Sequence, residues 1–225
     1  MKNKDIYITH DQKFFERLSY KARQKMYARL SKLITLDELD SVLDVGVTCN
    51  QQRLESNYFE KFFPYADRIT ALSDQDAGFL EEMYAGLKFH RGDACAMSFE
   101  DNAFDLVFSS AVIEHVGSYE NQKNMLGEMY RVSKKYVYLT TPNRYYPIEV
   151  HTLLPLLHWF PKPCHRFLLK TLGKKHMAQE SVLNLCSKRD IRKMCRELGI
   201  KNYRIYNNKC FGFNSNIMLF IEKDK

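Results

Sequence analysis

From Ser41 onward the chain alternates short, continuously apolar runs with helical stretches, and this rhythm narrows the fold more than any other feature. The runs are Val42-Leu43-Asp44-Val45, Arg68-Ile69-Thr70-Ala71-Leu72, Leu87-Lys88-Phe89-His90, Phe104-Asp105-Leu106-Val107-Phe108 and Tyr136-Val137-Tyr138-Leu139-Thr140. Helical spacing lies between them near 54–64, 75–84 and 119–132. Strands that are apolar on both faces belong in a sheet covered on both sides, and strand–helix alternation makes that sheet parallel. Right-handed crossovers then place a ligand crevice at the carboxyl ends of the strands.

The flanks behave differently. Residues 11–34 carry Phe15, Leu18, Ala22, Met26, Leu30 and Leu33 at three- and four-residue steps, which predicts an amphipathic helix with Thr9 or Asp11 as its cap. Residues 146–186 break the rhythm, with an apolar, proline-bounded stretch (153–161) followed by basic residues. A polar helix near 187–198 and two strand-like runs, 202–207 and 216–222, close the chain. The expected organisation is one domain over 1–225: a helical cover (1–40), a core (41–145), a lid insertion (146–186) and a closing helix with a strand pair (187–225).

At 225 residues such a domain buries enough apolar surface to need no disulfide staples. Six cysteines without a C-x-x-C pair, no apolar run of membrane-spanning length and no apolar core in MKNKDIYITH predict reduced thiols in a cytoplasmic protein. The net charge of +7 is uneven: residues 1–40 hold 9 Lys/Arg and 6 Asp/Glu, residues 41–145 hold 10 and 15, and residues 146–225 hold 15 and 6. A basic C-terminal third beside an acidic core suits an anionic partner or a solvated lysine-rich face.

Asp44-Val45-Gly46 ends the first run with a carboxylate and a glycine at the crevice mouth. With one glycine, Asp44-Val45-Gly46-Val47-Thr48 is neither G-x-G-x-x-G nor a P-loop. His115 is the candidate general base, because imidazole titrates near neutrality, and Glu114 stands beside it. His151 follows the fifth run on the same side. Asn143 and Arg144 follow it too, and an arginine there suits a carboxylate or phosphate. Leu153, Leu154, Leu156, Leu157, Trp159 and Phe160 beside Lys162, Arg166, Lys170, Lys174 and Lys175 make an apolar patch edged by cations, which suits either an anionic lipid surface or core packing with a wet basic edge. His158, Cys164 and His165 lack a second ligand pair at metal-like spacing, so no metal is expected.

Five pieces in order resemble a class I S-adenosylmethionine (SAM)-dependent methyltransferase of the small-molecule type 11 branch. They are Val42–Gly46, Ile69–Asp74 (ITALSD), Gly92-Asp93-Ala94, Phe104–Val107 with Ser109–Val116 (SSAVIEHV), and Glu128-x-x-Arg131-Val132. The resemblance covers about residues 41–145. It implies a doubly wound, mostly parallel seven-stranded, Rossmann-like sheet with a helical lid after the fifth strand. It implies Asp44 and Gly46 at the methionine end of SAM, Ser73 or Asp74 at the ribose, Asp93 and Ala94 at the adenine, and Ser109 and Ser110 at the methionine carboxylate. Acceptor contacts then fall to Asn143, Arg144, His151 and Trp159, and catalysis to His115 and Glu114.

Three functions fit. The first is transfer of a methyl group to a small-molecule, sugar or lipid-linked acceptor, anionic in character, with peripheral membrane contact through 151–175. The second is an RNA methyltransferase, favoured by the basic C-terminal third. The third is a methyltransferase-like binding protein without activity, favoured by Thr48 in place of a second glycine and by the displaced ribose acid.

Overall fold

In the computed structural model, which describes residues 10–51, 56–149 and 151–223, seven strands form one sheet. They are β1 (Val42–Val45), β2 (Ile69–Ser73), β3 (Lys88–Arg91), β4 (Phe104–Ser110), β5 (Ser133–Pro142), β6 (Tyr203–Cys210) and β7 (Phe213–Glu222). Their order is β3-β2-β1-β4-β5-β7-β6. The first five run parallel, and β7 pairs antiparallel with both β5 and β6. This is the mostly parallel, doubly wound sheet expected from the runs. The order reverses between β1 and β4, so the crevice lies where these strands end.

Each central strand is apolar on both faces because each face meets helices. Val42, Leu106, Phe108 and Tyr138 point one way, toward α1 (His10–Leu30), α2 (Tyr58–Phe62) and α3 (Phe79–Met83). Phe59 stacks on Phe108 there, with centroids 4.2 Å apart. Leu43, Val45, Val107 and Val137 point the other way, toward α4 (Tyr119–Val132) and α6 (Lys188–Glu197). Burying one such side chain stabilises the fold by about 1.5–3 kcal/mol, so the two layers hold it without cross-links. All six cysteines are free.

Several helices are shorter than their periodicity suggests. The first ends at Leu30, although Ile34 is also buried. The capping expected of Thr9 or Asp11 and the packing of Phe15 lie outside what is described. The helix expected over 54–64 is reduced to Tyr58–Phe62, entered through Asn57 in the left-handed region (φ 47°); its first residues, 54 and 55, are not described. The one expected over 75–84 starts only at Phe79, because Asp76 turns the chain by accepting from the Gly78 N–H. By contrast, α4 is capped by Ser118 and α6 by a Ser187–Asp190 capping box, and both match their expected spans closely. The closing strands extend into a tight hairpin with Phe211 and Gly212 at φ 49° and 80°.

The Glu128-x-x-Arg131 piece is a clamp. Arg131 donates to Glu128, Asp101 and the carbonyls of Met97 and Phe99, and Glu128 accepts from the Met97 N–H. It fixes the β3–β4 connection onto α4. The insertion after β5 holds one regular helix, α5 (Lys162–Thr171), and is otherwise irregular, with a 3-10 turn at Leu157–Trp159. Among the described residues no helix is long and apolar enough to cross a membrane.

Candidate functional site

The carboxyl ends of β1, β2, β4 and β5 bring most of the expected residues to one edge. Asp44, penultimate in β1, points to the α2 side, where Glu60 lies. Both are buried, at 6% and 2% exposure. Burial, with the charge of the nearby Glu60, pushes the Asp44 carboxyl well above its usual range. Burial likewise raises Glu60. Both Glu60 oxygens are buried without a hydrogen-bond partner. Two buried acids side by side are costly in this form and suit a cationic ligand such as an ammonium–sulfonium. Glu60 carried no sequence signal, because its partner lies 16 residues away on another element.

Gly46 has φ 93°, and a Cβ there would run into the Val112 methyls. Glycine is therefore required by the loop after β4 as well as by the turn. Ser73 is buried, and its hydroxyl accepts from the Gln75 N–H. Asp74 is exposed just beyond β2. Asp93 is exposed and holds its own turn by accepting from the Cys95 N–H at 2.8 Å. A carboxylate has lone pairs for a second partner. Ala94 packs against the core beside it.

Several of the expected residues are engaged within the fold. The Ser109 hydroxyl is buried and donates to the Val45 carbonyl at 2.9 Å, tying β4 to β1, so it is spent on the fold rather than on a ligand carboxylate. Ser110, half-buried, accepts from Thr140 Oγ1 at 2.8 Å and remains at the edge. Arg144 does not stand free: it donates to the carbonyls of His158 and Phe160 and so holds the 3-10 turn of the lid. Asn143 is likewise committed, donating to the Asn214 carbonyl. Trp159 lies on the surface at 45% exposure.

The two histidines converge. His115 and His151 have ring centroids 4.9 Å apart at 85°. His115 Nδ1 meets the Val182 carbonyl at 2.8 Å, and His151 Nδ1 meets Glu149 Oε1 at 2.6 Å. Each ring therefore spends Nδ1–H and leaves Nε2 free. Burial lowers the His151 pKa, but Glu149 outweighs it and holds the pKa above the usual value. Burial raises Glu149, but its bonds to His151 and Thr152 bring it down to about 2. Glu114 is fully buried; its Oε2 accepts from Thr141, and its Oε1 has no partner. Ligand atoms of Glu114, His115 and His151 all lie within 4.8 Å of one another. This convergence was hidden in the sequence, because His151 arrives through the lid 36 residues on.

The lid is stitched to this corner. Asn184, buried, donates its backbone N–H to the Glu114 carbonyl and its side-chain amide to the Gly117 carbonyl, while Lys162 donates to its Oδ1 at 2.6 Å. Arg144, His158, Lys162, His165, Arg166 and Asn184 line a small recess with room for about one water. Burial lowers the pKa of His158, His165 and Lys162.

Residues 44–140 match the model of a methyltransferase domain. The fold is shared by solved structures of low identity. A magnesium protoporphyrin IX methyltransferase from Synechocystis PCC 6803, with bound S-adenosylhomocysteine (SAH), is 14% identical with TM-score 0.59, covering 98% of this chain and 90% of that one. A SAM-dependent methyltransferase from Thermotoga maritima, described as a possible histamine N-methyltransferase, is 14% identical with TM-score 0.55, covering 94% and 92%. A SAM-dependent methyltransferase from Methanosarcina mazei is 16% identical with TM-score 0.52, covering 82% and 92%. A comparison with curated proteins gives no match.

Proposed function

We propose that this chain is an S-adenosylmethionine-dependent methyltransferase, with its core at the matched residues 44–140, and that it methylates an anionic, amphipathic small molecule or lipid-linked acceptor. The observation that carries the acceptor class is the recess under the lid. Arg144 and Lys162 spend their donors there on neutral oxygens, and Arg166 pairs with Glu180 at 3.0 Å. The cationic lining of Arg144, Lys162 and Arg166 suits a ligand carboxylate or phosphate.

SAM supplies an electrophilic methyl group on a sulfonium. In this reading Asp44 and Glu60 face its cationic end, Asp74 with Ser73 the ribose, Asp93 and Ala94 the adenine, and Ser110 the carboxylate. Acid side chains without cations of their own give the site its preference for a charged over a neutral sulfur. The free Nε2 atoms of His115 and His151 face the acceptor, with Glu149 positioning His151 and Glu114 behind both. Methyl transfer needs in-line placement above all, and these groups fix where the nucleophile stands. The exposed Leu153, Leu156, Trp159, Phe160 and Phe167 beside Lys162, Arg166 and Lys170 support delivery of the acceptor from an anionic lipid surface.

The experiment is transfer of a labelled methyl group from SAM to pooled hydroxylated or aminated acceptors bearing carboxylate or phosphate, with RNA in parallel. Label in the small-molecule or lipid fraction, reduced by Lys162→Ala, is expected. Label in RNA alone overturns the acceptor class in favour of a nucleic-acid substrate, which the basic C-terminal third would then explain. Label in neither fraction overturns the reading.

A further inference from the structure

We infer that Glu114, His115 and His151 form a binding site for a divalent first-row transition ion. The site deepens the function proposed above and rests on it only for the ion's role toward the acceptor. Three observations carry it. First, the ligand atoms come from two separate segments, the turn after β4 and the lid, and lie within 4.8 Å of one another. An ion with bonds near 2.1 Å wants its ligands about 3.3 Å apart, a closing that side-chain rotation can supply.

Second, both imidazoles are prepared as metal ligands usually are. The His115 Nδ1 meets a backbone carbonyl (Val182) and the His151 Nδ1 a buried carboxylate (Glu149), at 2.8 and 2.6 Å. Such outer partners set the tautomer, aim Nε2 and raise its basicity. Third, Glu114 Oε1 is an orphan. The residue is fully buried, its other oxygen is satisfied by Thr141, and no donor reaches Oε1. A buried carboxylate oxygen with no donor is what a cation would complete.

The donor set selects the ion class. Two imidazoles and one carboxylate suit zinc, cobalt, manganese or iron rather than magnesium or calcium, which take oxygen sets. Three protein ligands leave a position open, as catalytic sites do. An acceptor hydroxyl on that position gives its proton to water more readily. Its oxygen then forms the new O–CH3 bond, while the sulfur keeps the electron pair of the broken S–CH3 bond and becomes a neutral thioether.

The test uses full-length protein stripped with a chelator, free of any polyhistidine tag, and titrated with Co2+ while the visible d–d absorption is followed. Zn2+ is titrated in parallel by calorimetry, and SAH binding is measured on the same samples. One equivalent of Co2+ at micromolar affinity is expected, weakened at least tenfold by His151→Ala and by His115→Gln. SAH affinity is expected to stay unchanged in both variants. His115 is exposed, so the His115→Gln variant keeps the test valid where a buried change would unfold the corner. No Co2+ band with SAH binding intact, or Co2+ binding untouched by both substitutions, overturns the site. Loss of SAH binding in the unaltered protein instead overturns the cofactor reading and leaves the Co2+ titration interpretable.

Discussion

Asp44 and Glu60 lie together in the interior, at 6% and 2% exposure, and burial raises both carboxyls. The Asp44 pKa is raised on folding, so the folded chain holds this proton more tightly than the unfolded chain does. The stability it contributes is full below the ordinary aspartate range, near about pH 4, and is lost as pH rises through the folded value. Ligand-free protein is therefore expected to melt lower at pH 8 than at pH 5 on account of this pair. Asp44→Asn is expected to raise the ligand-free midpoint at pH 8 by about 2–4 °C, the shift that about 1 kcal/mol gives in a chain of this size, while weakening SAM. Differential scanning fluorimetry with and without SAM checks both halves; a lowered ligand-free midpoint would refute the argument. Asp105 has the opposite sign. Burial pushes its carboxyl up, but the Asp40 N–H and Lys135 outweigh it and hold it below the usual range. Its contribution is present above about pH 4 and is lost as pH falls through the lowered value. Asp105→Ala is expected to cost about 1.5–3 kcal/mol at pH 7 in urea unfolding, and less at pH 3.

At the scale of elements, β4 and the turn after it do most to assemble the site. Ser109 ties β4 to β1, Val112 fills the space over Gly46, and Ala111 takes φ 59° to turn the chain toward Glu114 and His115. Gly46→Ala is expected to destabilise the fold by about 2 kcal/mol or more, from the left-handed backbone and the crowding against Val112 together. A loss within 0.5 kcal/mol in chemical unfolding would contradict that packing. The segment 181–187 is the second assembling element, and Asn184 is its pin. Asn184→Ala leaves the Gly117 carbonyl and Lys162 without their partner and is expected to speed amide exchange across 183–186 severalfold while the exchange of β1 and β4 stays slow. The strands and α4 were legible in the sequence because continuous apolar runs and a capped amphipathic pattern are local signals. The five ordered pieces that suggested Asp44, Asp93 and His115 are local signals of the same kind. What stayed hidden depends on partners brought together through space. Glu60 needs Asp44, Asn184 needs a turn 67 residues earlier, and Ser109 and Arg144 answer backbone carbonyls that no side-chain pattern reveals. The ends of α2 and α3 were misjudged because polar loop residues at the crevice shorten helices that periodicity alone would extend.

For the whole molecule, charge is separated along the chain. Residues 41–145, with 15 acids against 10 bases, supply the edge proposed for the cofactor, and the insertion after β5 belongs to the basic C-terminal third. Leu156 at φ 61° and Leu153 at φ 58° turn their backbones so that both leucines stay exposed, at 47% each, beside Trp159 and Phe160. Co-sedimentation with anionic liposomes at low salt is expected, lost at high salt, and reduced by Trp159→Ser with Phe160→Ser; equal sedimentation with neutral liposomes would contradict the electrostatic part. The central claim is that the edge formed by β1, β2 and β4 holds SAM. Calorimetric titration of the folded protein with SAM and with SAH tests it most directly. The account predicts micromolar binding of both, SAM the tighter because its sulfonium meets Asp44 and Glu60, with Asp93→Ala weakening both ligands and Asp44→Asn weakening SAM more than SAH. No heat with either ligand from a folded sample would contradict it.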